Sequence, residues 1–235
     1  MALTKSSFKK DPKTQPQPAE EKAESSNKEL IITTSWDDGG VMDTQIAEVL
    51  KKYDLPGTFY IIVDAVNRET FLTWQQIKDI EAMGFEIGSH TVSHPSDLKL
   101  LHDEQLHYEI QNSKDMIEAV LGHSISKFCY PRGRFDDRVK DHVARAGYVE
   151  ARGTGRTGVT TYQDKFSMPG TIHIFQREEY GLLTIFQYAK QVLDKAKVEG
   201  GYVNIWGHSK EIEENNLWEV LDQVLAYASQ IKNEK

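Results

Sequence analysis

The sequence predicts an α/β fold, a distorted and incomplete (β/α) barrel of about seven strands. Two patterns predict it. Short apolar runs alternate with longer amphipathic segments from Leu30 onward, and glycine follows several of the amphipathic segments, as it does at helix ends. About seven such units favour a barrel over an open doubly wound sheet. There is no glycine-rich dinucleotide fingerprint after the first strand and no phosphate-binding loop, so nucleotide-dependent chemistry is disfavoured.

The short apolar runs, rich in β-branched and aromatic residues, define the strands. The predicted strands are Leu30–Thr34, Thr58–Val63, Phe85–Ser89, Lys127–Tyr130, Tyr148–Arg152, Thr171–Phe175 and Tyr202–Trp206. Segments with helical periodicity are predicted at Thr44–Tyr53, Trp74–Met83, Asp103–Leu121, Asp137–Ala146, Leu182–Val198 and Leu217–Ile231. The clearest helix is the third, whose apolar stripe consists of Leu106, Ile110, Ile117 and Leu121.

Composition bounds the organisation of the chain, which has 235 residues and a formal net charge of −8 at pH 7. Residues 1–28 are rich in Lys, Glu, Gln, Ser and Pro and lack apolar periodicity, so we expect a disordered tail or linker before one domain over residues 29–235. The negative charge disfavours nucleic-acid binding. No apolar run is long enough to span a bilayer. The tail also lacks the apolar stretch of a secretion signal, which leaves the compartment open.

The end of the first strand carries two adjacent carboxylates. In barrels, functional side chains sit at the carboxyl ends of the strands. Asp37 and Asp38 would point to opposite faces of a continuing strand. The two glycines that follow allow the backbone to turn, so that both side chains could reach one pocket. An ordinary Asp-Gly turn is the alternative for this segment taken alone.

Two histidines follow the third strand. His90 and His94 converge on one cation if the segment is helical or tightly turned. Imidazole suits zinc and related transition metals, and Cys129, the only cysteine, excludes a thiolate cluster. Two nearby histidines are often incidental, but with Asp38 they form a two-histidine, one-carboxylate site with open positions for water.

Two further strand ends carry polar groups. The turn Tyr130-Pro131-Arg132-Gly133 could leave the Arg132 backbone N–H free to face an oxyanion, or it is an ordinary strand-to-helix turn. The last strand ends at Trp206-Gly207-His208, where a histidine is well placed for proton transfer. A solvated loop histidine is the alternative outside this context.

Together, these segments resemble the polysaccharide deacetylases of carbohydrate esterase family 4. The sequence Trp36-Asp37-Asp38-Gly39 is similar to the aromatic-Asp-Asp-Gly motif of that family, and the histidine pair is similar to its His-(Ser/Thr)-x-x-His motif. The fourth strand end resembles its aromatic Pro-x-Gly turn. The last strand end resembles its Leu-x-His motif, with Trp206 in place of leucine. The motifs occur in family order over about residues 30–210.

The resemblance implies a function and a role for each matched residue. It implies a polysaccharide deacetylase catalytic domain over residues 29–235 that hydrolyses N-acetyl groups of an N-acetylglucosamine polymer or oligomer and releases acetate. It implies a divalent metal, with Zn²⁺ as the first choice and Co²⁺, Ni²⁺ or Mn²⁺ as alternatives. The implied roles are Asp38, His90 and His94 as metal ligands, Asp37 as general base, His208 as general acid, the Arg132 backbone N–H as oxyanion donor, and Trp206, Tyr130 and Pro131 as substrate contacts.

The sequence departs from the family pattern in two places. Many members carry an arginine two residues before the proline of the third motif, where it pairs with the base, but here Cys129 occupies that position. Arg152, near the end of the fifth strand, is a candidate replacement, although pairing with Glu150 of the same strand parity is the alternative. The fourth motif, which supplies an acidic partner for the catalytic histidine, has no clear match, so the partner of His208 stays open.

Two alternative functions remain at this point. The same metal-hydrolase scaffold acts in related proteins on O-acetyl esters such as acetyl-xylan, on formamides or on cyclic amides, and a glycan-binding protein with a vestigial site is the non-enzymatic alternative. A glycan is the expected partner, and the oligomeric state is not predicted. The remaining polar candidates are interpreted as incidental or surface features: His102, His107, His123, His142, His173 and the run Glu211–Glu214.

Overall fold

A computed structural model describes residues 29–155 and 162–234, so the predicted tail over residues 1–28 lies outside the described residues. Seven strands form one parallel sheet in the order β5-β4-β3-β2-β1-β7-β6. The sheet curls into a half-barrel, which confirms the predicted fold class. The strands are β1 (Leu30–Trp36), β2 (Gly57–Ile61), β3 (Glu86–Ser89), β4 (Lys127–Cys129), β5 (Glu150–Arg152), β6 (Ile172–His173) and β7 (Gly201–Gly207).

Helices follow most of the strands. They are α1 (Asp43–Lys52), α2 (Trp74–Ala82), α3 (Asp103–His107), α4 (Ser113–Leu121), α5 (Asp137–Arg145), α6 (Ile185–Glu199), α7 (Ser209–Glu214) and α8 (Trp218–Asn233). A π-helical segment, Tyr108–Asn112, joins α3 to α4, so the predicted third helix is continuous but contains a wider turn. Within the described part of the chain, none of these helices combines the length and apolarity that a bilayer-spanning helix needs.

The barrel is open between β5 and β6, and the chain just before β6 partly fills the opening. Met168 forms a parallel bridge with Arg152. The backbone N–H of Ala151 donates to the carbonyl of Lys165, and that of Met168 donates to the carbonyl of Ala151. This segment therefore covers the outer edge of β5, where Arg152 lies.

Alternation along the strands gives the sheet an apolar outer face and a polar inner face. Outward side chains such as Ile32, Phe59 and Ile205 belong to the core beneath the helices. Inward side chains line a cavity of about 130 Å³ and include Thr33, Ser35, Thr58, Tyr60, Lys127, Arg152, Tyr202 and Asn204. The inward parity continues past the ends of β1, β3 and β7, where the next inward positions are Asp37, His90 and His208.

Candidate active site

The chain turns immediately after β1, and this turn brings two acidic side chains to one side of the sheet. Trp36 ends the strand and is fully buried in the core. Asp38 and Gly39 both adopt left-handed backbone conformations, with φ of 75° and 72°. The turn therefore begins at Asp38 itself rather than at the glycines alone. Asp37 keeps the inward parity, and Asp38 is redirected to the same mouth of the barrel.

Asp37 is a buried carboxylate that pairs with Arg152. Its side chain is 2% exposed, its Oδ1 forms an ion pair with Arg152 Nη2, and its Oδ2 lies 3.6 Å from the Cys129 thiol, which donates to it. Burial raises the pKa of Asp37, but the charges of Arg152, His90 and His208 and the Arg152 hydrogen bond together lower it to about 2. Asp37 is therefore ionised at neutral pH. The alternative pairing of Arg152 does not occur, because Glu150 contacts Lys127 instead, at 3.0 Å.

Aromatic rings hold the Arg152 guanidinium in place. It lies 5.3 Å from the ring centre of Tyr60 and 5.2 Å from that of Trp206. Gly88 makes room for Tyr60, because a Cβ at this position would lie 2.6 Å from the tyrosine ring. Arg152 is thus held by inward aromatic side chains of two other strands, β2 and β7, as well as by Asp37.

Asp38, His90 and His94 come together at the barrel mouth. Asp38 Oδ1 lies 3.5 Å from His90 Nε2 and 3.7 Å from His94 Nε2, and the two imidazole centres are 4.8 Å apart. His90 Nδ1 lies 2.7 Å from the Cys129 carbonyl oxygen. Because a carbonyl oxygen only accepts hydrogen bonds, Nδ1 carries the proton and Nε2 presents its lone pair toward Asp38.

His94 is also suited to act as a neutral ligand. Burial, with the neighbouring His90, lowers the pKa of His94 to about 4 despite the opposing charge of Asp38. The imidazole is therefore unprotonated at neutral pH. The segment from His90 to His94 is a tight turn rather than a helix, with Thr91 and His94 at φ of 72° and 57°.

The donor atoms of these three residues fit a divalent metal. Asp38 Oδ1 is buried and accepts no hydrogen bond from any residue that the structure describes. An unpaired buried carboxylate oxygen is costly, and a cation shared with the two Nε2 atoms would satisfy it. Two imidazoles and one carboxylate form a donor set used by zinc and by neighbouring transition metals, and they leave coordination positions open.

Two other groups of potential ligands are less suited to a cation. In the group Asp37, His90 and Cys129, burial raises the pKa of the thiol well above its usual value, and Arg152 already pairs with the carboxylate. In the group His173, His208 and Glu211, both imidazoles already contact the carboxylate. Asp38, His90 and His94 therefore form the candidate metal centre.

Glu211 is the acidic partner of His208. His208 Nδ1 lies 2.7 Å from Glu211 Oε2, and His173 Nε2 lies 3.1 Å from the same oxygen. Burial lowers the pKa of His208, but Glu211, Asp37 and Asp38 outweigh it and raise the pKa to about 9. The imidazole is therefore protonated at neutral pH. The contact with Glu211 involves Nδ1 and not Nε2.

Sequence reasoning missed both partners in this contact. The interpretation of Glu211 as part of a solvated run is wrong, because its carboxylate holds two imidazoles. The interpretation of His173 as incidental is also wrong, since its side chain is 5% exposed and its ring stacks on Trp206 at 3.8 Å. The spacing of three residues from His208 to an acid at a helix start was the available signal.

The Pro-Arg-Gly turn lies close to the candidate metal centre. Arg132 adopts a left-handed conformation, with φ of 56°, and its charge contributes to lowering the pKa of His94. Gly133 is required by space as well as by its positive φ, because a Cβ would lie 2.2 Å from the Thr154 hydroxyl. The predicted oxyanion donor, the Arg132 backbone N–H, thus belongs to a constrained turn.

The structure does not place Tyr130 and Pro131 at a surface open to substrate. Tyr130 is fully buried, donates from its hydroxyl to the Phe166 carbonyl at 2.9 Å and stacks on Phe135 at 4.2 Å. Pro131 is also buried. Both residues pack in the interior and shape the turn, and their assignment as substrate contacts stays a prediction. The cause of this packing is parity, because Tyr130 follows Cys129, which faces inward, and so faces the core.

Trp206 lies beside a second cavity at the barrel mouth. Its side chain is almost fully buried, and with His173 and Arg177 it lines a cavity of about 220 Å³. Gly170 packs so closely that a Cβ would lie 2.6 Å from the indole nitrogen. The role of Trp206 as a wall for the acetyl methyl group stays a prediction.

A half-barrel whose polar groups cluster at the carboxyl ends of its strands has the architecture of a barrel enzyme. A family model described as polysaccharide deacetylase matches residues 24–151, which is more than half of the chain. The chain therefore belongs to the polysaccharide deacetylase family, as the motif resemblance implied.

Three similar proteins illustrate this relationship. The chain is 32% identical to a peptidoglycan-N-acetylglucosamine deacetylase from Bacillus cereus over 124 residues, which are 52% of this chain and 55% of the relative. The deacetylase PplD of Streptococcus pyogenes, solved in complex with acetate, superposes with a TM-score of 0.55 at 26% identity. The match covers 58% of this chain and 62% of the PplD chain. A family 4 pseudoenzyme from Bacillus anthracis superposes with a TM-score of 0.56 at 18% identity, over 84% of this chain and 62% of the pseudoenzyme chain. At this identity the likeness shows the fold alone. The chain thus spans about half of the curated relative and less than two thirds of either solved chain.

Proposed function

We propose that this chain is a metal-dependent N-deacetylase that hydrolyses N-acetyl groups of a glycan containing N-acetylglucosamine and releases acetate. Family membership supports glycan deacetylation. The finer proposal rests on one observation: a buried carboxylate paired with Arg152 and an imidazole paired with Glu211 both lie beside the triad of Asp38, His90 and His94. These pairings lower the pKa of Asp37 and raise that of His208. A base, an acid and a set of metal ligands are the three components that amide hydrolysis requires.

Asp37 is the proposed general base. When bound by the triad, a divalent cation supplies Lewis acidity to the amide carbonyl and to the attacking water. Asp37 accepts the proton of that water at Oδ2, since Oδ1 is held by the Arg152 ion pair and Oδ2 has only the weaker contact with the Cys129 thiol. The low pKa keeps the carboxylate ionised, and the ion pair with Arg152 fixes its orientation.

His208 is the proposed general acid. Glu211 contacts Nδ1, so Nε2 is the nitrogen that donates a proton to the departing amine. The raised pKa keeps this proton on the ring at neutral pH. An amine is a poor leaving group unless it is protonated, whereas an ester alkoxide needs less assistance. A His208 that is protonated at neutral pH therefore meets the greater need of an N-acetyl substrate for an acid.

Two further groups complete the proposed mechanism. The Arg132 backbone N–H stabilises the oxyanion from its constrained left-handed turn, which agrees with the fixed geometry that such a donor needs. Trp206 contacts the acyl methyl group beside His208, from which its ring centre lies 5.8 Å away.

The test is acetate release from N-acetylglucosamine oligomers by chelator-stripped protein and by protein reconstituted with Zn²⁺, Co²⁺, Ni²⁺ or Mn²⁺. We expect release to return with metal in the wild type and to stay absent in Asp38→Ala. Zinc bound at one equivalent with no release would contradict N-deacetylation. A parallel panel of acetyl-xylan, a formamide and a cyclic imide then identifies a different acyl substrate, and oligomer binding without turnover on any of them indicates a glycan-binding protein.

A further inference from the structure

Glu109 is a buried carboxylate that none of the proposed catalytic roles uses. It lies in the π-helical segment Tyr108–Asn112 and is 6% exposed. Its Oε2 accepts hydrogen bonds from the backbone N–H groups of Val92, at 3.0 Å, and Ser93, at 2.9 Å. Its Oε1 accepts a bond from the Ser93 hydroxyl at 2.5 Å. Within the described residues, all three of these bonds end in the loop between His90 and His94.

This loop, residues 91–94, needs support from outside itself. Thr91 and His94 are left-handed non-glycine residues, a conformation that persists only where the surroundings over-determine it. Part of the support comes from other contacts: the Thr91 hydroxyl accepts from the His94 N–H at 3.0 Å, and the carbonyl of Val92 accepts from the Asp64 N–H at 2.9 Å. The middle of the loop, Val92 and Ser93, depends on Glu109 for both of its N–H groups.

The position of Glu109 on its helix is itself unusual. A carboxylate on the buried side of a helix is costly unless every oxygen finds donors. A π turn widens a helix locally and re-aims its side chains, and such turns recur at functional sites. Here the π turn coincides with Glu109, and the donors that satisfy the carboxylate come from the loop that carries His94.

We propose that Glu109 is a positioning residue that holds loop 91–94 so that His94 Nε2 faces Asp38 and His90 before a metal binds. The inference rests on the proposed function, because it takes these three residues as the metal ligands. Glu109 contacts none of the donor atoms of these three ligands; it acts through the backbone N–H groups of Val92 and Ser93 and through the Ser93 hydroxyl. A loop fixed in advance loses less conformational freedom when the metal binds, so the metal binds more tightly.

The test compares Glu109→Ala and Glu109→Gln with Glu118→Ala as a matched control. Glu118, on α4, also accepts a backbone N–H, that of Ile125 at 2.9 Å, but it anchors a different loop. We expect Glu109→Ala to weaken zinc binding roughly 10- to 100-fold in competition with a chromophoric chelator, the usual loss when outer partners of ligands are removed. Glu109→Gln, which keeps one acceptor oxygen, should lose less, and Glu118→Ala should bind zinc like the wild type.

A second measurement is independent of any metal. In metal-free protein, amide hydrogen exchange of residues 91–94 should be faster in Glu109→Ala than in the wild type and unchanged in Glu118→Ala. Wild-type exchange and wild-type zinc affinity in a folded Glu109→Ala would overturn the proposal. If Glu109→Ala does not fold, Ser93→Ala, which removes only the hydroxyl bond, serves for the same comparison. Wild-type protein that binds no zinc would overturn the proposed function. Faster amide exchange of residues 91–94 in Glu109→Ala would still establish that Glu109 orders this loop.

Discussion

Arg152 on β5 and Cys129 on β4 are register partners, and both reach Asp37. In the family that the sequence resembles, many members carry an arginine at the position of Cys129. Here the guanidinium belongs to Arg152, which lies directly opposite Cys129 on the neighbouring strand, and it contacts the carboxylate of Asp37. Either position could supply a guanidinium to Asp37, because adjacent inward side chains of parallel strands point into one space.

Arg152→Met should shift the acid limb of the pH profile of kcat/KM upward. Without the guanidinium, burial dominates and the pKa of Asp37 rises from about 2 past its ordinary value of 3.8. In the wild type, the lowered pKa of Asp37 stabilises the fold at pH values above its pKa in the unfolded chain, and this stability is lost as the pH falls through its pKa in the fold. The variant lacks this contribution, so it should also lose about 3–5 kcal/mol of stability at neutral pH. Rate profiles and urea unfolding measure both effects, with the exposed Arg145→Met as control. An unmoved acid limb would contradict the assignment of Asp37 as base.

The register relationship also predicts a rescue. Cys129→Arg combined with Arg152→Ala should recover roughly tenfold in kcat/KM over Arg152→Ala alone, within the range of coupling energies between residues in contact. The physical reason is that the new side chain starts from the buried, inward Cys129 position and extends into the space that Arg152 vacates. The single variant Cys129→Arg is the control, because two guanidinium groups there would repel each other. A double variant no better than Arg152→Ala would contradict the equivalence of the two positions.

Asp37→Asn should abolish most turnover while leaving metal binding nearly unchanged. Asp37 lies outside the triad, and removal of a general base costs roughly 10²–10⁴-fold in rate. Acetate release and a zinc titration of the same sample separate the two effects. Asp38→Asn is the matched control and should lose zinc affinity together with turnover. Near-normal turnover of Asp37→Asn would refute the role of this residue.

How far the sequence predicts the site depends on whether a residue's environment is local. Arg152 was predictable, because its position at a strand end and its parity direct it inward. Parity also predicts that Tyr130 faces the core, although its place in a motif suggests substrate contact. Glu211 was harder to predict as a partner, because its spacing of three residues from His208 is a weak signal and it lies on a helix of six residues within an acidic run that looks solvated. Its role depends on β6 and β7 bringing His173 and His208 to the same oxygen.

The strands were predicted correctly in number and place, but most of their ends differ from the prediction by one or two residues. Relative to its length, the strand that differs most is β6, predicted as Thr171–Phe175 and observed as Ile172–His173. This strand lies at the edge of the sheet and pairs only with β7 among the described strands. The length of a strand is set by its partners, and a single sequence does not specify where a neighbouring strand stops pairing.

Glu211→Gln should lower the pKa of His208, because the variant removes the charge that outweighs burial. In the wild type, the raised pKa of His208 stabilises the fold fully below pH 6.5, its pKa in the unfolded chain, and this stability is lost as the pH rises through about 9. The variant should therefore lose more stability at pH 6 than at pH 10. NMR titration of the His208 ring in metal-free protein measures the pKa directly, and the alkaline limb of kcat should move to lower pH. Glu214→Gln, on the same helix, is the control. An unchanged His208 pKa would contradict the pairing.

Asp43, at the start of α1, makes the free energy of unfolding depend on pH in the opposite direction from Asp37. It is fully buried, and neither carboxylate oxygen accepts a well-formed hydrogen bond from a described residue, although the Ser209 hydroxyl approaches closely enough to lower its pKa. Burial, with the charges of Asp38 and Asp37, outweighs that contact and raises the pKa to about 8 from 3.8. The folded state therefore binds a proton that the unfolded state has lost between these two values.

It follows that metal-free wild-type protein should lose stability as the pH rises from 4 to 8, by a few kcal/mol from this group alone, at about 1.4 kcal/mol for each pKa unit. Asp43→Asn, which cannot ionise, should remove this slope and be the more stable protein at pH 8, with little difference at pH 4. Urea unfolding across this range measures the effect, with the exposed Asp141→Asn as control. A variant that is less stable than the wild type at pH 8 would mean that the Asp43 carboxylate is ionised and satisfied in the fold.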